Sequence, residues 1–191
     1  MKNQYNFDST KISSLCIDGT YLWLGFLGSD NSTYLKKVEV LNPDSIYFNV
    51  PVEVNDIINL VVDDNYVYGI DSSATKLFFT TLKLNPYSYI TYINKPVGIN
   101  EDAIDFVMDT DYIYILISGL TSGNNAKILK YNRTTWAYIE TIDLTTVFNA
   151  NKISQDENGH LWVISEIDPP ILTEVYLTSG DVWNFTSYTL S

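Results

Sequence analysis

A fourfold internal repeat constrains this chain more than any other feature. A short apolar run ending in Asp, a tight turn and an aromatic-rich run recur as ISSLCID-GT-YLWLGF (Ile12 to Phe26), INLVVD-DN-YVYGID (Ile58 to Asp71), IDFVMD-TD-YIYILIS (Ile104 to Ser118) and NKISQD-ENG-HLWVIS (Asn151 to Ser165). The marker residues Asp18, Asp63, Asp109 and Asp156 follow one another at intervals of 45, 46 and 47 residues. A unit repeated at this period cannot bury its apolar surface alone, so neighbouring copies must stack.

Each copy reads as four strands. Asp18-Gly19, Asp64-Asn65, Thr110-Asp111 and Asn158-Gly159 supply the first turn, since Gly, Asn and Asp tolerate positive φ. A polar loop leads to the third strand, YLKKVEVLN, KLFFTTLKLN, AKILKYN or ILTEVYLTS, and the fourth closes the unit as IYFNVPV, YITYINK, AYIETIDL or VWNFTSYTL. No segment keeps a 3.6-residue period, and Pro and Gly fall between the runs. Four-stranded antiparallel meanders at this spacing are the signature of β-propeller blades. Second strands such as Tyr21-Leu22-Trp23-Leu24 and Tyr112-Ile113-Tyr114-Ile115 are apolar on both alternations, as blades packed between two neighbours must be. A β-sandwich is the structural alternative. The expected organisation is an all-β, four-bladed propeller-like array over 12–191, with repeats 12–57, 58–102, 103–150 and 151–191 after a leader or extra outer strand at 1–11.

NGHLWVIS (Asn158 to Ser165) and DGTYLWLGFLG (Asp18 to Gly28) resemble the blade motif of two-component-regulator and NHL-like propellers, in which an Asp, a Gly and a Trp before an apolar pair mark the first hairpin. In blades two and three Tyr68 and Tyr114 stand in place of the Trp. The resemblance implies a propeller fold and a role in sensing or binding ligands and partners. Such propellers usually have more than four blades, so no ligand residues carry over. Four blades could close on themselves or form half of an eight-bladed ring completed by a second chain. QYNFDST (Gln4 to Thr10) resembles a fourth-strand segment, which makes a surplus outer strand for blade four or for a neighbouring chain.

The composition excludes several chemistries. With 11 Lys+Arg against 23 Asp+Glu, a formal charge of -12 gives no footprint for nucleic acid and disfavours anionic membranes. Neither a signal peptide nor an apolar run of membrane-spanning length is present in the sequence as it stands. Cys16 and His160, single residues of their kinds, cannot build a zinc cage. Arg133 alone cannot supply the arginine cluster of a sialidase. His160, at the start of a second strand, reads as a solvated or packing residue, and Cys16 as a buried, inert thiol. Carboxylates cluster at Asp63-Asp64, Asp109 with Asp111, and Asp156-Glu157. They fit turn geometry better than a calcium loop, whose spaced ligands and terminal Glu are lacking. No cofactor and no catalytic residue is assigned.

Trp23, Tyr68, Tyr114 and Trp162 recur at one register and read as inter-blade packing. Trp136 and Tyr87 lie outside that register, in turns, and with Arg133 they form the candidate contact surface. The functional expectation is a non-enzymatic structural or interaction protein that binds protein partners or self-assembles. The abundance of Ile, Asn, Tyr and Lys suggests an AT-rich genome. Together with the lack of a signal peptide and the surplus outer strand, it points to a phage or viral head- or tail-associated component, found in the virion or in the cytoplasm of the producing cell. The alternatives are a ligand- or glycan-binding propeller and a carboxylate-based hydrolase or lyase.

Overall fold

The structure is a computed structural model that describes residues 11–42, 46–71, 76–83, 91–97, 99, 101–119, 124–178 and 182–190. The leader at 1–10 and Tyr87 lie outside these residues. The described residues form strands β1 (Lys11–Asp18), β2 (Tyr21–Leu27), β3 (Thr33–Glu39), β4 (Ile46–Val52), β5 (Ile57–Val62), β6 (Tyr66–Asp71), β7 (Lys76–Leu82), β8 (Thr91–Asn94), β9 (Ala103–Met108), β10 (Tyr112–Ile117), β11 (Lys127–Asn132), β12 (Tyr138–Asp143), β13 (Ala150–Gln155), β14 (Leu161–Ser165), β15 (Ile171–Leu177) and β16 (Trp183–Thr189). They pair in chain order into four antiparallel sheets of four strands, β1–β4, β5–β8, β9–β12 and β13–β16, here called blades 1 to 4. Two compact units, residues 1–95 and 96–191, hold two blades each.

Three of the four marker Asp residues, Asp63, Asp109 and Asp156, are turn-formers. In Asp63, Oδ1 accepts from the backbone N–H of Asn65 at 2.7 Å and of Tyr66 at 2.6 Å. Asp109 accepts from Asp111 at 2.8 Å and Tyr112 at 2.7 Å. Asp156 accepts from Asn158 at 2.9 Å and His160 at 3.0 Å. Each carboxylate thereby satisfies amides that the reversing chain would otherwise leave unpaired.

The first strand of every blade carries a β-bulge at the same place. Pairing skips one residue between Ile12 and Ser14, Ile57 and Asn59, Ala103 and Asp105, and Ala150 and Lys152. In a regular strand residues three apart point to opposite faces, and one bulged residue reverses that. Ile57 and Leu60 therefore share a face, as do Ala103 and Phe106, and Ala150 and Ile153. All six are buried.

In the first unit, β1 and β2 of blade 1 pack against β5 of blade 2. Trp23, Leu35 and Val52 meet Ile57, Leu60, Val67 and Phe79, with Cys16 and Val62 at the margin. An ion pair from Lys83 Nζ to Asp18 Oδ2 at 2.7 Å pins the two blades at their turns. In the second unit, β9 and β10 pack against β13. Tyr114, Leu116 and Ile128 meet Ala150, Ile153, Leu161, Val163 and Val175. Asp105 Oδ2 accepts the Ile153 amide at 3.1 Å, and Gln155 Nε2 donates to Asp109 Oδ2 at 3.3 Å. Register-matched lysines cover the aromatic pairs of blades 1 and 3. Lys37 Nζ stands 4.1 Å from the Tyr21 ring and Lys130 Nζ 4.1 Å from the Tyr112 ring. Cation–π attraction offsets part of the cost of burying these charges.

Candidate functional site

Two of the residues nominated by sequence can be placed, and both belong to one turn. Arg133 follows β11, and its Nη1 donates to the backbone carbonyl of Asp109. Lys83 occupies the matching position in blade 2, donating to the Asp63 carbonyl at 3.2 Å. Arg133 thus braces the β9–β10 turn. Trp136 is half-buried with φ 57, and its amide donates to the Asn132 carbonyl at 2.8 Å. The Asn132 side chain organises the turn by accepting from the amides of Thr134 at 3.0 Å and Thr135 at 2.8 Å.

Cys16 is half-buried, and burial pushes its thiol above the ordinary value. His160 packs beside Tyr176 and sets Nδ1 2.7 Å from Glu174 Oε1. Tyr188 Oη donates to the other oxygen of Glu174 at 3.3 Å, which raises the phenol pKa together with burial, the larger cause. Trp162 Nε1 donates to Asp156 Oδ2 at 3.1 Å, and this bond is the main reason the Asp156 carboxyl lies below the ordinary range. Sequence reasoning missed the Glu174 partnership. It joins residues 14 apart across two strands, at a position where blades 1 and 3 carry Lys37 and Lys130. Among the described residues no group of three His, Cys, Asp or Glu is placed to hold a metal ion.

Trp162, Glu174 and Tyr188 lie on the face of blade 4 turned away from blade 3. Ser154, Trp162, Glu174 and Thr186 form one cross-strand row, and Lys152, Ile164, Leu172 and Tyr188 the next. Trp162 stacks on Tyr188, with ring centroids 6.3 Å apart. At the same register Trp23, Tyr68 and Tyr114 are buried, whereas Trp162 is half-buried. β14 alternates buried with half-buried residues, while β6 and β10 are buried along nearly their whole length. Apolarity on both alternations, expected of every second strand, is thus matched by burial on both faces in blades 2 and 3 but not in blade 4.

Blade 1 shows the reverse. Its bulge puts Ile12, Leu15 and Ile17 on the face turned away from blade 2, paired with Phe26, Leu24 and Leu22. Ile12 is 43% exposed, Leu15 60% and Ile17 67%. The matching residues of β5, Ile57 and Leu60, are 0% and 3% exposed, and Val62 is half-buried.

A separate cleft of about 350 Å³ in the second unit is lined by Ile104, Ser118, Asn149, Ala150, Asn151 and Glu166. Asn151 Nδ2 donates to Glu166 Oε1. The Ser118 hydroxyl is buried with no hydrogen-bond partner, an uncompensated cost unless something enters the cleft.

No protein-family profile matches the chain. No curated protein sequence matches it either. Solved structures do. Virginiamycin B lyase from Staphylococcus aureus is similar over 97% of this chain and 57% of its own, with 13% identity and a TM-score of 0.70. The extracellular domain of the one-component system BT4673 from B. thetaiotaomicron matches over 96% and 23%, with 16% identity and a TM-score of 0.62. YCF48 bound to D1 peptide matches over 95% and 55%, with 9% identity and a TM-score of 0.62. The chain spans little more than half the length of the lyase and of YCF48. At such identities the likeness carries fold and not activity. Four four-stranded meanders, a bulge repeated at one register and these structural relatives together establish the β-propeller fold for this chain.

Proposed function

We propose that this chain is a non-catalytic scaffold that works by binding protein, with a phage or viral particle as its setting. The β1 face carries the proposal. Ile12 and Leu15 stand in the register that other blades bury, and with Ile17 they are exposed along β1, although their β2 partners Phe26 and Leu24 are buried. A contiguous exposed apolar patch marks a contact surface, and each such side chain gains roughly 1.5–3 kcal/mol when covered. YCF48, solved with a peptide bound, shows that a propeller of this likeness can serve such a role. The particle setting rests on the AT-rich residue usage and on the surplus outer-strand segment Gln4 to Thr10.

Cross-linking mass spectrometry on gradient-purified particles, using Lys11 and Lys36 as anchors beside the patch, tests both halves. The expected result is a reproducible inter-protein link at β1 that Leu15→Asp removes. Absence of the chain from every particle fraction sinks the setting. Links indifferent to Leu15→Asp sink the scaffold.

The cleft supports a second reading, a small-ligand site. Ser118 would supply its unpartnered hydroxyl and Glu166 a carboxylate. A thermal-shift panel of sugars and small amines, with Glu166→Gln as control, decides it: no shift, or a shift indifferent to the substitution, removes the reading.

A further inference from the structure

We infer that the partner of the β1 face is a second copy of this chain, which offers the Trp162 face of its blade 4. The inference rests on the protein-binding reading above and names the partner. Its basis is that the chain already contains this contact as internal pairs. In the first unit, the face bearing Trp23 receives Ile57 and Leu60 of the next blade. In the second, the face bearing Tyr114 receives Ala150 and Ile153. The giving surface is a second strand with its register aromatic. The receiving surface is a bulged first strand with apolar residues three apart.

Blade 4 presents the giving surface with Trp162 half-buried and Tyr188 exposed beside it, and blade 1 presents the receiving surface with Ile12, Leu15 and Ile17 exposed. Each is less covered than its counterpart, Leu15 against Leu60 and Trp162 against Trp23 and Tyr114, and each has the shape that the other's counterpart meets elsewhere in the chain. Charge agrees. Lys36 shares the cross-strand row of Leu15, and Glu174 shares that of Trp162. The contact is heterologous, since different patches of the two copies meet, and interfaces of this kind build rings or open chains.

The test uses the full chain, Leu15→Asp and Trp162→Ala in sedimentation velocity over a concentration series, with circular dichroism and melting to confirm that each variant is folded. Leu15 is exposed, so its substitution leaves the core intact even if Trp162→Ala loosens blade 4. We expect the native chain to self-associate and each variant to weaken association at least about tenfold, as loss of a buried anchor does. An equimolar mixture of the two variants should regain association, because one retains an intact Trp162 face and the other an intact β1 face. A chain monomeric up to about 100 μM, far weaker than a stable homomeric contact, overturns the inference. So does an oligomer that both variants leave unchanged, or a mixture no better than its components. If the chain is monomeric while β1 still cross-links to a different protein in a Leu15-dependent way, the second copy is excluded and the scaffold survives. If neither occurs, both fall.

Discussion

Gly25 shows how closely two blades approach. A Cβ built there would stand 2.5 Å from Ser14 Oγ and 2.7 Å from Ile57 Cβ, the latter in the neighbouring blade. Gly25→Ala must therefore push β2 away from β5, a cost of about 1–3 kcal/mol for overpacking. Urea denaturation measures it. Gly19 at φ 59 has nothing within 4 Å of an added Cβ, so Gly19→Ala should cost only the left-handed backbone penalty of about 1 kcal/mol. Equal losses at the two sites would refute the close approach.

Asp156 gives a pH-dependent prediction at the same scale. Its folded pKa is depressed, chiefly by the Trp162 Nε1 bond and further by backbone amides. A depressed carboxylate contributes stability that is complete above its unfolded pKa, about 4, and is lost as pH falls through the lower folded value. Asp156→Asn should flatten this acid limb and leave the slope near neutrality unchanged, as read by denaturation at a series of pH values. These Asp positions were legible in sequence because an Asx turn is local chemistry. The Glu174 network was not, because it is made across strands.

Elements show the same division. Four strands per unit, their order and their turns follow from the alternation of apolar runs with Gly, Asn and Asp. The bulge does not. Ser13, Ile58, Ile104 and Asn151 have no common chemistry, and what they share is a position five residues before the marker Asp. A bulge is a property of pairing, visible only once the partner strand is in place. Its consequence is concrete: inserting one Ala after Ile58, with the single bulge kept, would turn Ile57 off the face it shares with Leu60. Because a one-residue slip moves a side chain to the opposite face, the loss should match removal of a buried Ile, about 2–5 kcal/mol. Ile58→Ala, which keeps the count, should cost clearly less. Comparable denaturation midpoints for the two variants would show that the bulge has no such role.

At the scale of the whole molecule, repetition in sequence and repetition in burial part company. Leu15 and Leu60 are the same residue at the same register, yet one is 60% exposed and the other 3%. No pattern in a single repeat distinguishes them, because exposure depends on which blade has a neighbour. The contact surface read from sequence, Trp136 and Tyr87 with Arg133, lies in residues that break the repeat, while the exposed apolar side chains of β1 belong to residues that obey it.

Net charge then sets the terms on which copies can meet. Two chains at -12 repel each other over a Debye length of about 10 Å at 0.1 M salt, and the repulsion fades as salt is raised. An apolar contact between β1 and the Trp162 face, with a single Lys36–Glu174 attraction, should therefore tighten with ionic strength. Sedimentation equilibrium from 20 to 500 mM NaCl, roughly 20 Å down to 4 Å of screening, should show a dissociation constant falling by several-fold. The opposite trend would mean that opposite charges, and not the exposed leucine and isoleucines and the half-buried tryptophan, bring the copies together.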